Sequence, residues 1–323
     1  MLTRRRIGHS DLIVSPLGLG TSTWGTTTDY ATARAQAAAF LDAGGNLVDT
    51  ADVYGGGEAE RMIGRLLAGS LDRESIVLAT KAAAVIVAGK PTADASRAHL
   101  LKTLDSSLSR LGTDHVDLWQ VHAWDKRVPL EETLGAVDTA ITAGKVRHAG
   151  VCNYSGWQTA VTAARFAGAG NRKLVSTQVE YSLLERGVER EVVPAAEHLG
   201  LGILPWAPLG RGVLTAKYRH GVPEKRYDSR FFRWYVGRHL NERAAGIVEA
   251  VVAVAVELGV TPGTVSLAWL RDRPGVVAPL VGARTAEQLE ESLAGADFTL
   301  PPEHRRTLDD ASALRLGYPE LSI

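Results

Sequence analysis

Eight short apolar runs, helix-like segments between them and a polar turn near the N-terminus predict an α/β fold, a (β/α)₈ TIM barrel with an N-terminal hairpin and extended βα loops. The runs are SPLGLGT at 15–21, GNLVDT at 45–50, SIVLATK at 75–81, VDLWQVH at 116–122, KVRHAGV at 145–151, LVSTQVE at 174–180, LGILPWA at 201–207 and GVVAPLVG at 275–282. They are apolar throughout and do not alternate, which suits strands covered on both faces. Between them, 29–45 has an acidic start and closing glycines, and 93–112 repeats apolar residues at helical spacing. Residues 4–15, with a polar turn from Gly8 to Asp11, read as a hairpin that closes the barrel bottom.

A doubly wound open sheet is the competing architecture. A barrel of this class uses about 250 residues, which leaves length for an N-terminal cap, long loops and a tail. The longest irregular stretch, 208–240, interleaves aromatics and charges, as functional loops do. No linker or low-complexity tract divides the chain, so one domain over 1–323 is expected.

The 36 basic and 36 acidic residues cancel, so no global field is available to gather nucleic acid or an anionic membrane, and neither partner is expected. A lone Cys152 supplies neither an internal disulfide nor a thiolate metal cluster, and a reducing, cytoplasmic location is the default. The N-terminal MLTRRRIGHS lacks the apolar core of a signal peptide. The most apolar longer segment, 247–260, carries Glu249 and Glu257 and is too short to span a bilayer. The histidines are scattered and no HExxH or paired-cysteine motif occurs, so no metal site is expected.

In a barrel the C-terminal strand ends share the face that carries chemistry. Asp49 ends the second run, Tyr54 follows it, Lys81 ends the third and His122 the fourth. Each has an ordinary structural explanation alone, but four titratable groups from three consecutive strands at one level point to proton donation to a carbonyl oxygen. A free tyrosine releases its proton near pH 10, roughly three units too high. A nearby Lys81 ammonium is expected to bring that value down, with Asp49 holding the lysine and His122 orienting the substrate oxygen.

The motifs VDTADVYGGGEAE, LATK, DLWQVHAWD, GKVRHAGVCNY, TQVEYSLLER, PWAPLGRGVLTAKY and LVGARTAEQLEESL resemble, in order and spacing, those of the aldo-keto reductase family. The resemblance covers nearly the whole chain. It implies a (β/α)₈ barrel that moves hydride from NADPH to aldehydes and ketones, with a catalytic tetrad on Asp49, Tyr54, Lys81 and His122.

The resemblance also implies the cofactor contacts. Asn153 and Gln178 match positions that hold the nicotinamide carboxamide, and Trp206 the aromatic that stacks on its ring. Pro208, Leu209, Gly210, Gly212 and Lys217 fall in the pyrophosphate loop; Arg284, Gln288 and Glu291 fall in the adenosine-phosphate segment. Thr21, Asp49, Ala207, Gly282 and Arg230 are expected at the cofactor as well. Two positions depart from the usual pattern: Cys152 stands for a frequent serine and Ser292 for a frequent asparagine.

Residue chemistry supports part of this. GLGTST at 18–23 lacks the third glycine of a dinucleotide fingerprint, whereas GRG at 210–212 and GART at 282–285 follow the seventh and eighth runs, where barrels bind phosphate. Thr285 to Gln288 has the form of a capping box, and Arg284 beside it favours a 2′-phosphate. Trp24, Tyr54, His122 and Trp124 are expected to line the substrate pocket. The aromatic segment 231–235 either joins them or packs its own loop. The reading is an NADPH-dependent carbonyl reductase or alcohol dehydrogenase acting on a small carbonyl compound. Two alternatives stand beside it: an NADPH-binding regulatory subunit resembling potassium-channel β subunits, and a reductase of keto or enoyl nucleotide sugars.

Overall fold

The computed structural model describes residues 3–87, 89–168, 172–221, 236–314 and 317–318. Eight parallel strands close into a barrel, and each coincides with one of the eight apolar runs. The chain opens with β1 (Arg5–Arg6) paired antiparallel to β2 (Ile13–Val14). The barrel then begins with β3 (Gly18–Gly20), β4 (Leu47–Asp49) and β5 (Val77–Ala82). After β5 the chain makes a hairpin, β6 (Ala84–Val87) with β7 (Lys90–Ala93), that the sequence pattern did not announce. The barrel continues with β8 (Val116–Val121), β9 (Val146–Cys152), β10 (Leu174–Glu180), β11 (Gly202–Trp206) and β12 (Leu280–Val281), which returns to β3.

The eighth run shortens to two strand residues plus a single bridge from Val276 to Ile203. Pro279 explains the gap. It has no N–H to give a ladder, though its carbonyl still accepts from Gly18 N at 3.0 Å.

Several helices start at a side-chain cap. Asp29 accepts from Thr32 N at 2.8 Å and starts α1 (Tyr30–Asp42); α2 (Glu58–Leu67) follows β4. Ser96 caps α3 (Arg97–Leu111), which stops at Gly112 with φ +66°. Next come α4 (Leu130–Thr142), α5 (Gly156–Gly168) and α6 (Val192–Leu199). Asn241 caps α7 (Glu242–Leu258) and Thr261, followed by a proline, caps α8 (Pro262–Arg271). Finally α9 (Ala286–Ala294) begins after Thr285, and α10 (Pro302–Ala311) ends the described helices. Among the described residues no single helix is long and apolar enough to cross a membrane.

The hairpin of β1 and β2 seats Ile7, Leu12 and Val14 against Leu47, Val77, Leu118, Val175 and Leu204 at the lower end of the barrel. Its turn needs Gly8: φ is +52°, and a Cβ there would stand 2.7 Å from the Gly200 carbonyl oxygen and closer still to that of Val175. Above this apolar layer the interior turns polar. Ser176 Oγ donates to Gln120 Oε1 at 3.3 Å, in the room left by the absent side chain of Gly150.

Within the long 208–240 stretch, the described residues include one short turn, Gly210–Gly212, and another, Gly237–His239. Arg238 donates to Glu180, the last residue of β10, and His239 Nε2 lies 3.6 Å from the same carboxylate. Arg230 and the aromatic segment 231–235 lie outside the described residues.

Candidate active site

The four residues singled out at the strand ends are brought together. Asp49 ends β4, Lys81 is the fifth residue of β5, His122 follows β8, and Tyr54 opens a single turn, Tyr54–Gly57, between β4 and α2. That turn holds Gly55, Gly56 and Gly57 at φ +58°, +64° and +91°, so side chains would be strained there. A Cβ on Gly57 would also come within 2.8 Å of Arg110 Cδ. The glycines thus let a phenol turn back over the lysine.

Lys81 is fully buried, and each of its three ammonium protons has an acceptor. Nζ donates to Asp49 Oδ2 at 2.6 Å, to the Thr50 carbonyl at 2.7 Å and to Tyr54 Oη at 3.3 Å. Burial disfavours the ammonium, but Asp49 and Tyr54 outweigh it and hold Lys81 charged above the ordinary lysine range. The other oxygen of Asp49 accepts from Gln178 Nε2 at 2.9 Å.

Tyr54 corrects the sequence expectation. Burial raises its pKa, the Lys81 charge lowers it, Asp49 raises it again, and the balance is upward. The cation is where it was expected, but desolvation of the phenolate is the larger effect. The resting phenol therefore keeps its proton. His122 meets the Tyr54 ring edge-on at 6.2 Å between centroids. Burial, then Lys81, pushes its imidazole down to about 3, and its Nδ1 has no hydrogen-bond partner among the described residues. Cys152, buried at the end of β9, has its thiol pushed up by burial and stays protonated.

Asn153 and Trp206 form a second group at the mouth. Asn153, at φ +58°, donates from Nδ2 to the His122 carbonyl at 3.0 Å and accepts from Trp206 Nε1 at 2.9 Å. The guanidinium of Arg211 lies 5.1 Å above the Trp206 ring. Gln178 spends one amide proton on Asp49, which leaves its oxygen as an acceptor for a carboxamide. Thr21 donates from both N and Oγ1 to the Asp49 carbonyl at 3.0 Å, pinning β3 to β4.

Two loops suited to phosphate flank this group. After β11, Ala207, Gly210, Arg211 and Gly212 all take positive φ, with buried Pro208 and half-buried Leu209 between them. The ammonium of Lys217 occupies the space where a Gly212 side chain would be. After β12, exposed Gly282 and Arg284 lead to Thr285, which caps α9 by accepting from Gln288 N at 3.4 Å. Gln288 Oε1 accepts from Arg284 N at 3.1 Å, so the box closes one residue earlier than its usual form. Glu291 lies exposed one turn along, and Ser292 donates to the Gln288 carbonyl at 3.1 Å. Glycine backbone, lysine, arginine and an open helix start fit a dinucleotide with an additional phosphate.

Of the substrate-pocket residues, Trp124 lies half-buried at the rim, edge-on to Tyr154 at 5.2 Å and to Trp157 at 5.5 Å. Trp24 does not line the pocket. It is 1% exposed, and Nε1 donates to Gln36 Oε1 at 2.7 Å, so satisfying the indole N–H draws the ring inward. The sequence reading did not single out Trp157, which is 61% exposed and edge-on to Trp124. It also missed the buried Glu60, which accepts from Thr80 Oγ1 at 2.6 Å and Arg110 Nε at 2.7 Å. A glutamate on an amphipathic helix carries no local sign of burial.

A sequence profile described as the aldo/keto reductase family matches residues 16–313. The chain is 36% identical over 313 residues to an uncharacterized oxidoreductase, YrpG, of Bacillus subtilis strain 168, with 94% of each chain covered. It is 34% identical to a probable voltage-gated potassium channel subunit beta of Oryza sativa subsp. japonica, covering 93% of each. It is 29% identical to norsolorinic acid reductase of Aspergillus flavus, covering 95% of this chain and 80% of that one. With the closed barrel and this span of similarity, the chain belongs to the aldo/keto reductase family.

Proposed function

We propose that this protein reduces an aldehyde or ketone to the alcohol, with NADPH as hydride donor and Tyr54 as general acid. The observation that carries the reading is Lys81 Nζ bonded at once to Asp49, to the Thr50 carbonyl and to Tyr54 Oη. NADPH, when bound, supplies the hydride that reaches the carbonyl carbon.

The protein's own part is to bind, orient and move one proton. Asn153 and Gln178 would hold the carboxamide, Trp206 would face the ring, and the loops at 207–212 and 282–288, with Lys217 and Glu291, would take the phosphates and adenosine. Tyr54 Oη and the neutral ring of His122 fix the substrate oxygen between them. As negative charge grows on that oxygen, Tyr54 passes its proton across, and the alcohol O–H forms as the phenol O–H breaks. Lys81 stabilises the phenolate left behind, and Asp49 keeps the ammonium charged and aimed. Burial that raises the Tyr54 pKa at rest suits a group that must hold its proton until the substrate draws it away.

Replacing Tyr54 by phenylalanine removes only the hydroxyl. Turnover of an aldehyde panel is expected to fall about 10²–10⁴-fold with NADPH affinity unchanged. Undiminished turnover rejects Tyr54 as the acid. A second reading, an NADPH-binding regulatory subunit, draws on the similarity to the rice channel subunit. A wild-type protein that binds NADPH but turns over none of the panel, and co-purifies with a stoichiometric protein partner, would favour it.

A further inference from the structure

Gln36 lies in the middle of α1 with no exposed surface, on the face that also buries Ala33, Ala37 and Phe40. An amide in such a position is retained only if its polar atoms are paired, and these are. Oε1 accepts from Trp24 Nε1 at 2.7 Å. Nε2 donates to the carbonyl of Ala283 at 3.1 Å and to that of Thr285 at 3.3 Å. Those two carbonyls bracket Arg284. Thr23 Oγ1 adds a second bond to the Ala283 carbonyl, at 2.9 Å.

The arrangement reaches both ends of the site. Arg284 is exposed; Gln288 takes its backbone N–H from one side, Gln36 holds the carbonyls of its two neighbours from below, and Thr285 is also the cap of α9. On its other side Gln36 holds Trp24, whose carbonyl oxygen would lie 3.0 Å from a Cβ on Gly55 in the turn that carries Tyr54.

We propose that Gln36 is a positioning residue for cofactor binding, fixing the carbonyl groups of the residues on either side of Arg284 so that its guanidinium and the start of α9 meet the 2′-phosphate already oriented. Pre-ordering a loop lowers the entropy lost on binding, so the effect belongs to cofactor affinity and not to the chemical step. The inference rests on the reading that Arg284 meets that phosphate.

The test compares Gln36→Glu with Arg284→Ala at pH 8. The glutamate keeps the acceptor for Trp24 but sets an oxygen against two carbonyl oxygens. Dissociation constants are measured for NADPH, 2′,5′-ADP and reduced nicotinamide mononucleotide, with kcat taken at saturating NADPH. For Gln36→Glu the expected result is about tenfold weaker NADPH and 2′,5′-ADP, with mononucleotide affinity and kcat unchanged. Equal weakening of all three ligands, or a fall in kcat, marks general loosening of the barrel and overturns the proposal. So does wild-type 2′,5′-ADP affinity in Gln36→Glu when Arg284→Ala has lost it, and in that case the phosphate reading stands. If Arg284→Ala loses nothing, the phosphate reading fails and the proposal falls with it. Should the glutamate variant not fold, Trp24→Phe frees the Gln36 oxygen and is expected to weaken 2′,5′-ADP about threefold, no change being a refutation.

Discussion

The two ends of the barrel are built from the same strands and have opposite chemistry. At the lower end Leu47, Val77, Ala79 and Leu118 pack under the N-terminal hairpin. Two residues beyond Leu47 stands Asp49, two beyond Ala79 stands Lys81, and four beyond Leu118 stands His122. Because successive side chains of a strand alternate between faces, even spacing keeps these residues on one face and changes only their height. Stability and reactivity are thereby divided along the barrel axis. The lower layer gains from removing apolar surface from water, roughly 1.5–3 kcal/mol for each fully buried aliphatic side chain. The upper layer bears the cost of a buried ion pair to hold one proton ready.

Substitutions at matched heights would break or sharpen this division. The largest effect is expected from Lys81→Met, which leaves the buried Asp49 carboxylate without its cation. Stability should drop by about 3–5 kcal/mol in urea titrations. Carbonyl reduction should fall by about 10³-fold or more in the same variant. Near-normal turnover would end the claim that the upper layer is built around that cation.

Ile7→Ala, at the opposite end, should cost about 3 kcal/mol through the cavity it opens, with kcat at 25 °C unchanged. A matching loss of kcat would show that the two ends are mechanically coupled.

The smallest effect is expected at Asp52, two residues before Tyr54 and within reach of the charge of the buried Glu60. Burial, then the Glu60 charge, pushes its carboxyl up to about 7 from an ordinary 3.8, while Arg110 and Lys81 draw it down. The folded state keeps a proton that the unfolded chain has already released between these values, so stability declines as pH rises through that window. Asp52→Asn cannot ionise. It should gain on the order of 2 kcal/mol at pH 8 and nothing near pH 3.5, as read by thermal unfolding at the two pH values. An equal gain at both would assign the effect to packing.

The sequence made the frame legible because a barrel strand states its burial locally. All eight apolar runs became strands, and the titratable residues that ended them met at one mouth. What stayed hidden depended on distant partners. Trp24 reads as a pocket aromatic until Gln36 is seen to accept its indole N–H. Gln36 is one glutamine in an alanine-rich helix, and its amide reaches carbonyls nearly 250 positions away. The hairpin of β6 and β7 escaped notice because Ile86 and Val87 are 70% and 61% exposed, so burial does not account for their apolar character. The net rise in the Tyr54 pKa was beyond reach for a related reason: the sequence names the neighbouring cation but not the burial that outweighs it.

The hairpin at the lower end also sets an order of assembly. Gly8 is seated on Val175 and Gly202, in the sixth and seventh barrel strands, and on Gly200, which ends α6 between them. This segment is translated before the strands it docks on, so its docking surface exists only after most of the barrel has been made. Contacts so far apart along the chain are slow to close. A segment made before its partners is therefore among the last to settle, and until then its apolar side chains must be kept from associating with other nascent chains.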